Sequence, residues 1–326
     1  MVQLPKLDLN ITNRCNYRCV HCAFDSGVQE IQEMTLDDIK RILLQTKELG
    51  GKKFDITGGE PTLRKDIGEI ITFGKKLDYK IELVTNGSLI TSKQLKGYRK
   101  NGLDGVAISL DGSNYKGYSQ IRRCGVTEYK HVLETITKCV NLGFYTKVNT
   151  VAFESNLKDI PNIVRKSISI GVDEIGIYYF TPVGRGNKTI EKSCDPIVYL
   201  RELRQNVASL KDKIKISVET PILEKELVKK ELGCILESDP YHLQILPDQK
   251  VYPCAIMASY GRPIADLSRK SAKAVWENRE LWKRYLERSK DCFSDGHCFR
   301  HEFSAGENFV PICPLRKFSI EEVCYD

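Results

Sequence analysis

The sequence predicts an α/β protein built on parallel strands, followed by a smaller cysteine-rich unit. Three observations predict it. Over residues 6–212 the hydrophobic pattern switches repeatedly from short strand-like runs to helical ones. The residues with chemistry to offer gather directly after the strand-like runs. Half of the 12 cysteines (Cys234, Cys254, Cys292, Cys298, Cys313 and Cys324) lie where that alternation has stopped.

The elements follow in order. "KLDLNIT" (6–12) reads as a strand. "TLDDIKRILLQTKELG" (35–50) has apolar residues at helical spacing, a threonine in N-cap position and a terminal glycine. "KFDIT" (53–57) is a strand, "DIGEIITFGKKLD" (66–78) a helix and "KIELVT" (80–85) a strand. "SKQLKGYRKNG" (92–102) is helical despite Gly97, and "GVAISL" (105–110) is a strand. "EYKHVLETITKCVNLG" (128–143) is a helix with a glycine stop, and "YTKVNTVA" (145–152) is a strand. "LKDIPNIVRKSISIG" (157–171), "EIGIYYF" (174–180) and "PIVYLRELRQNVASLKD" (196–212) complete the series as helix, strand and helix. Beyond, "HLQILPDQKVYPCA" (242–255) reads as a hairpin around "PDQK", and "SAKAVWENRELWKRYLERS" (271–289) as an amphipathic helix. A boundary is expected near residues 213 to 233, giving units 1–212 and 213–326.

Repeated strand–helix units imply parallel strands with right-handed crossovers. Six units make either an open doubly wound sheet or an incomplete barrel, and in both the chemistry belongs at the C-terminal strand ends. The candidates fall there. "CNYRCVHC" follows strand one, "TGGEP" ends strand two and "TNG", with Asn86, ends strand three. "SLDG" ends strand four, Asn149 lies late in strand five and "TPVGRGN" follows strand six.

Composition sets the outer bounds. The 326 residues are 41% hydrophobic and 29% charged, an ordinary globular balance that argues against disorder. No apolar run approaches a membrane span, and the start has no basic segment followed by an apolar one, so a cytoplasmic protein is expected. The net charge of +7 is scattered, with no basic stripe interleaved with aromatics, so nucleic-acid binding is not expected. In a reducing compartment, clustered cysteines suggest metal rather than disulfides.

Cys15, Cys19 and Cys22 are spaced C-x3-C-x2-C, which lets three thiolates point into one concave loop. A structural zinc site closes with four ligands and an iron–sulfur cube wants one ligand per iron. Three cysteines leave one iron open to a substrate or cofactor; His21 would close the site if it ligated. Gly58 and Gly59 permit close backbone approach, and Glu60 and Pro61 continue in an extended turn that offers backbone groups to an amino-acid-like ligand.

"CNYRCVHC" together with "GGEP" resembles the radical S-adenosylmethionine (SAM) enzymes, with His21 in the aromatic slot of their signature. The resemblance covers residues 7 to about 190. It implies an incomplete (β/α)6 TIM-like barrel holding a [4Fe–4S] cluster. SAM would chelate the open iron, and one electron, from a flavodoxin- or ferredoxin-type donor, would cleave it to a 5′-deoxyadenosyl radical that abstracts a substrate hydrogen. By the same resemblance Cys15, Cys19 and Cys22 ligate the cluster, His21 lies near the adenine, and Gly58, Gly59 and Glu60 bind the methionyl amino group. Asn86 joins these cofactor-binding positions. Ser109, Asp111 and Asn149 contact the ribose or carboxylate, Ile177 flanks the adenine, and Arg122 lies near the bound cofactor. Cys124 sits at the expected active-site rim, where its thiol could donate a hydrogen atom to a substrate radical.

Within the family, "TGGEPTLRKDI", "SLDGS" and "KVNTVAFESNLKDI" resemble the cyclases that act on GTP in molybdenum-cofactor formation. The ending "EEVCYD" lacks their terminal Gly-Gly and cysteine triplet, so that enzyme itself is not expected. "GCILESDPYHLQILPDQKVYPC" instead resembles the SPASM or twitch extension, a small cysteine-rich C-terminal auxiliary-cluster domain. Cys234 and Cys254 fit its hairpin slots, and Cys292, Cys298 and Cys313 fit its downstream run. Ser289 and Glu302 stand where a two-cluster version has further cysteines, so one auxiliary [4Fe–4S] cluster is expected, with zinc as the alternative. The resemblance implies a peptide or protein substrate, or else a small molecule such as a sugar, nucleoside or cofactor precursor. The barrel begins at residue 7, so no N-terminal leader-recognition domain is expected. An iron–sulfur electron carrier would need the cysteines but not "GGEP" or the strand–helix scaffold.

Overall fold

The computed structural model describes residues 6–28, 30–224, 242–259, 261, 263–278, 280–282, 309–311 and 317–324. The elements are β1 (Lys6–Asn10), α1 (Leu36–Glu48), β2 (Lys53–Thr57), α2 (Ile67–Lys76), β3 (Lys80–Thr85), α3 (Ser92–Lys100) and β4 (Gly105–Ser109). They continue with α4 (Tyr115–Arg122), α5 (Val126–Asn141), β5 (Tyr145–Ala152), α6 (Ile160–Ile170), β6 (Glu174–Tyr179), α7 (Pro196–Asn206) and β7 (Lys215–Glu219). The later elements are β8 (Ile222–Glu224), β9 (His242–Ile245), β10 (Lys250–Tyr252), α8 (Ala255–Ser259), β11 (Ala265–Asp266), α9 (Ala272–Trp276), β12 (Phe309–Pro311), β13 (Lys317–Ser319) and α10 (Ile320–Val323).

Helix starts are set by capping chemistry. Thr35 and Thr91 each form a reciprocal capping box, with Asp38 and Gln94 respectively. Helix α4, for which the periodicity gave no sign, starts at Asn114, whose side chain accepts from the Gly117 amide. It ends at Arg123, which is left-handed at φ 57°. The expected long helix over 271–289 is interrupted within its described part: α9 stops at Glu277, and Asn278 restarts the chain by accepting from the Leu281 amide at 2.9 Å.

The strand order decides between the two α/β architectures. One 11-stranded sheet runs β11-β10-β9-β1-β2-β3-β4-β5-β6-β7-β13, and β1 to β7 stand parallel in chain order. A doubly wound sheet reverses direction at a switch point. Here every right-handed crossover steps the same way, so the helices cover one face and the sheet curls into an incomplete barrel. β7 carries the parallel series past residue 212, and β9 pairs parallel with β1. β9 and β10 form the hairpin expected around Pro247 to Lys250, and β13 adds antiparallel to β7. The described part of the last third thus extends both edges of one sheet. Among the described residues no helix is long and apolar enough to cross a membrane.

The two faces of the sheet differ sharply. Leu9, Ile56, Leu83, Ile108, Val148, Ile175 and Ile177 are buried in one apolar core with helix residues such as Ile42, Ile71, Ile136 and Ile163. The alternate positions carry charge at the strands' N-terminal ends. Lys6 pairs with Asp55 at 2.8 Å, Lys53 bridges Asp55 and Glu82 at 3.4 Å each, and Glu174 pairs with Lys147 at 2.6 Å and Lys215 at 2.9 Å. This strand alternation leaves the opposite, C-terminal mouth to the cysteine loop.

Candidate active site

The loop after β1 carries Cys15, Cys19 and Cys22. Such a packed, irregular segment needs donors for its carbonyls. Arginines supply them. Arg18 donates to Cys15 O and Tyr17 O at 2.8 and 2.9 Å. Arg64 donates to Ile11 O at 2.9 Å and Met34 O at 2.8 Å. Arg185, from the loop after β6, donates to Cys19 O at 3.1 Å and Ser26 O at 2.9 Å, pairs with Asp25 at 2.7 Å, and gives its own amide to Cys22 O at 2.9 Å. Beside it Gly184 is left-handed at φ 57°, and a Cβ there would lie 2.2 Å from Ala23 O.

Each sulfur of the triplet accepts one N–H. Cys15 Sγ accepts from the Tyr17 amide at 3.4 Å, Cys22 Sγ from the Ser26 amide at 3.3 Å, and Cys19 Sγ from Arg122 Nη1 at 3.6 Å. Burial pushes the Cys15 thiol up to about 11. Burial also raises Cys19, opposed by the Arg122 guanidinium. A bound metal deprotonates such thiols outright.

The turn after β2 is laid directly against this loop. Gly59 donates to Thr12 O and Glu60 to Arg14 O, both at 2.8 Å. The approach leaves no room for side chains: a Cβ on Gly58, at φ 143°, would lie 2.4 Å from Thr12 O, and one on Gly59 would lie 2.3 Å from Arg14 O. The fully buried Glu60 carboxylate accepts from the Thr62 amide at 3.1 Å, Thr85 Oγ1 at 2.7 Å and the Asn86 amide at 2.8 Å. Asn86 in turn donates to Asn16 Oδ1 at 2.9 Å, tying the end of β3 to the residue after Cys15.

The third support comes from β4 and α4. Asp111 is fully buried; it receives Arg122 Nε on one oxygen and the Val151 amide, at 2.7 Å, on the other. Next to this pair, His21 packs edge-on to Phe153 with ring centroids 5.6 Å apart. Its Nδ1 is buried without a hydrogen-bond partner. Burial, with Arg122 nearby, lowers its pKa to about 4, so the ring is neutral. Val20, Ile121, Phe153 and Phe180 form a small apolar cluster here.

A family model described as the radical SAM superfamily matches residues 9–167, which include the cysteine loop, the glycine turn and the Asp111–Arg122 pair. This part of the chain is a radical SAM domain. Its curated relatives include an AdoMet-dependent heme synthase from Methanosarcina barkeri, 26% identical over 316 residues, covering 87% of this chain and 85% of the relative. A GTP 3′,8-cyclase from Clostridium perfringens is 28% identical over 297 residues, covering 87% and 90%. Among solved structures, Streptococcus suis SuiB bound to S-adenosylmethionine superposes with a TM-score of 0.73 at 19% identity, covering 86% of this chain and 68% of that one. Native anSMEcpe with bound AdoMet gives 0.67 at 16%, covering 85% and 82%. These structures share the fold.

A radical SAM enzyme uses a [4Fe–4S] cluster and SAM, and the residues present fit both. Among the described residues no three ligating side chains stand together as a ready single-ion site, so the fit is one of number and chemistry: three thiols along one loop, each accepting an N–H, leave one iron of a cube open. The side-chain-free Gly58–Gly59 edge and the orphaned His21 Nδ1 suit an amino-acid-like ligand with an attached base.

The structure brings most of the expected radical SAM positions to the barrel mouth. Ser109 and Asn149 are register partners on adjacent strands, and Asn149 accepts from Tyr178 OH at 3.2 Å. Ile177 does not join them. Strand alternation turns it into the helix-facing core at 0% exposure, and Tyr178 takes the inner face instead. Glu60, Asp111 and Asn86, expected at the cofactor, have side chains hydrogen-bonded to protein partners. Arg122 is buried against Asp111 and Cys19. Cys124 is half-buried beside Tyr17, and burial raises its thiol. Arg185 was missed: nothing in "TPVGRGN" marks it as the clamp of a loop about 160 residues earlier. Cys254 follows β10, and its sulfur accepts from the Met257 amide at 3.5 Å. Cys234, Cys292, Cys298 and Cys313 lie outside the described residues.

Proposed function

We propose that this chain reductively cleaves SAM at a cluster held by Cys15, Cys19 and Cys22, and uses the resulting radical to abstract hydrogen from a peptide or protein substrate. The observation that carries the first part is the joint geometry of the two motifs. The glycine turn is hydrogen-bonded to residues 12–14, so an amino-acid-like ligand on that edge stands next to Cys15. When bound, the cluster and SAM supply an electron and a carbon-centred radical. The chain's part is positional. Gly58 and Gly59 present backbone, His21 and the Phe153 cluster offer an apolar wall, and Ser109, Asn149 and Tyr178 line the inner face.

The peptide reading is supported by the fold shared with SuiB, which has also been solved bound to the precursor peptide SuiA. A small-molecule reading is favoured by a different observation: the relatives that match over most of their length are named for heme synthesis and for GTP cyclisation. In either reading we assign residues 1–212, together with the β7 strand that continues their parallel series, to the barrel, and the rest of 213–326 to an auxiliary unit. One auxiliary cluster would be held by Cys234, Cys254 and two or more of Cys292, Cys298 and Cys313. A flavodoxin- or ferredoxin-type protein would deliver the electron, and the thiol-rich chain would work in the cytoplasm. The test is an anaerobic incubation of reconstituted protein with SAM, reductant and either peptide or nucleotide and tetrapyrrole pools. Substrate-dependent 5′-deoxyadenosine and a mass change confined to a peptide support the proposal. A change confined to a small molecule overturns its substrate half.

A further inference from the structure

The three cysteine sulfurs are not equivalent. Cys15 and Cys22 accept from neutral backbone amides, at 3.4 and 3.3 Å. Cys19 alone accepts from a guanidinium, Arg122 Nη1, at 3.6 Å. Arg122 is held in place. Its Nε donates to Asp111, whose side chain has no exposure, and the second Asp111 oxygen is anchored by the Val151 amide at 2.7 Å. Asn156 braces the same segment by donating to Asp111 O at 3.1 Å and Val151 O at 2.9 Å. The support is therefore fixed on β5 and the β5–α6 connection, outside the cysteine loop.

A buried ion pair of this kind is poor value as stabilisation, because removing two charges from water offsets most of their attraction. Its geometry has another consequence. A thiolate that ligates iron gains negative charge when the cluster is reduced. A fixed cationic donor on that sulfur stabilises the reduced form more than the oxidised one, and hydrogen bonds to the sulfurs are a recognised lever on cluster potential. A charge-assisted donor acts about twice as strongly as a neutral amide.

We propose that the Asp111–Arg122 pair is a potential-setting device: Arg122 makes the N-terminal cluster easier to reduce through Cys19, and Asp111 aims it. This rests on the assignment of Cys15, Cys19 and Cys22 as cluster ligands. Arg122 is a positioning residue here, so the readout is a potential rather than a rate. The full-length chain is reconstituted anaerobically, and the reduced N-terminal cluster is followed by EPR during a redox titration. That signal is identified as the one absent from the Cys15→Ala/Cys19→Ala/Cys22→Ala variant. Because Arg122→Met would orphan a buried carboxylate, the test variant is Asp111→Asn/Arg122→Gln, which neutralises both partners together. Its midpoint should fall by about 59 mV, a tenfold loss in the one-electron reduction equilibrium. Arg122→Lys, which keeps the cation but loses the fork, should fall between it and wild type. Both variants should bind the wild-type amount of iron. A wild-type midpoint in the double variant at full iron content would overturn the proposal. Absence of any wild-type signal that depends on the three cysteines would overturn the ligand assignment itself, and this proposal with it.

Discussion

Gly58→Ala perturbs the junction on which the site depends. At φ 143°, an alanine is forced out of its allowed regions at a cost of roughly 1–2 kcal/mol. Its Cβ would also lie 2.4 Å from Thr12 O, a backbone atom that cannot swing aside. The turn must therefore move off the loop. That stretches the Gly59–Thr12 and Glu60–Arg14 hydrogen bonds, both 2.8 Å, each worth about 1 kcal/mol net. The expected cost is about 3 kcal/mol, concentrated within three residues of Cys15. Differential scanning calorimetry and iron analysis of the reconstituted protein measure it: Tm should fall by several degrees and iron bound at the N-terminal site should drop. Gly97→Ala is the internal control. Gly97 lies within α3, with nothing within 4 Å of a Cβ placed there, so the same substitution should stabilise by roughly 0.5–1 kcal/mol. If Gly58→Ala binds full iron and melts like wild type, the close approach of turn and loop is not what positions the cysteines.

Arg185→Met removes donors to Cys19 O and Ser26 O and the Asp25 pair; it should cost roughly 2–4 kcal/mol by calorimetry and reduce iron loading, whereas Arg185→Lys should recover part of both. Glu174 supplies a pH dependence. Burial would raise its carboxyl, but Lys147, Lys215 and Tyr145 overcome this and hold it at about 2. A carboxyl depressed in the folded state stabilises above its unfolded pKa of about 4.3 and loses that contribution as pH falls toward 2. Wild type should therefore be more stable than Glu174→Gln at pH 7 in urea titrations, and the gap should close on acidification through that window. For the auxiliary unit, the reconstituted wild type should bind about 8 iron atoms and the Cys15→Ala/Cys19→Ala/Cys22→Ala variant about 4, counting four per cluster. A wild-type count near 4 with zinc present would replace the auxiliary cluster with a zinc site.

The sequence made the six strand–helix units legible because each buries one face on a fixed period, and the cysteine and glycine motifs legible because their spacing is local. What it hid depends on long-range pairing. The choice between a doubly wound sheet and a partial barrel lies in strand order, which no single element encodes. Ile177 and Tyr178 differ by one residue, and only the register with β5 tells which faces inward. Glu60, Asn86 and Asp111 look like ligand-binding groups until their partners, 11 to 70 residues away, are seen to occupy them. Arg185 carries no local mark at all. Helix α4 leaves no periodic signal because its stretch, YKGYSQIR, has too few apolar positions to form a stripe. The break at Asn278 is not legible in sequence because Asn is tolerated in a helix interior but serves better as a cap.

The most direct test of the account is the yield of 5′-deoxyadenosine. Reconstituted wild-type protein, incubated anaerobically with dithionite and SAM, should release it. Each of Cys15→Ala, Cys19→Ala and Cys22→Ala should abolish release while leaving the fold intact by circular dichroism, because an open-iron cube needs all three thiolates. Release at the wild-type rate from any one of these variants, or none from the wild type with its iron in place, would contradict the account.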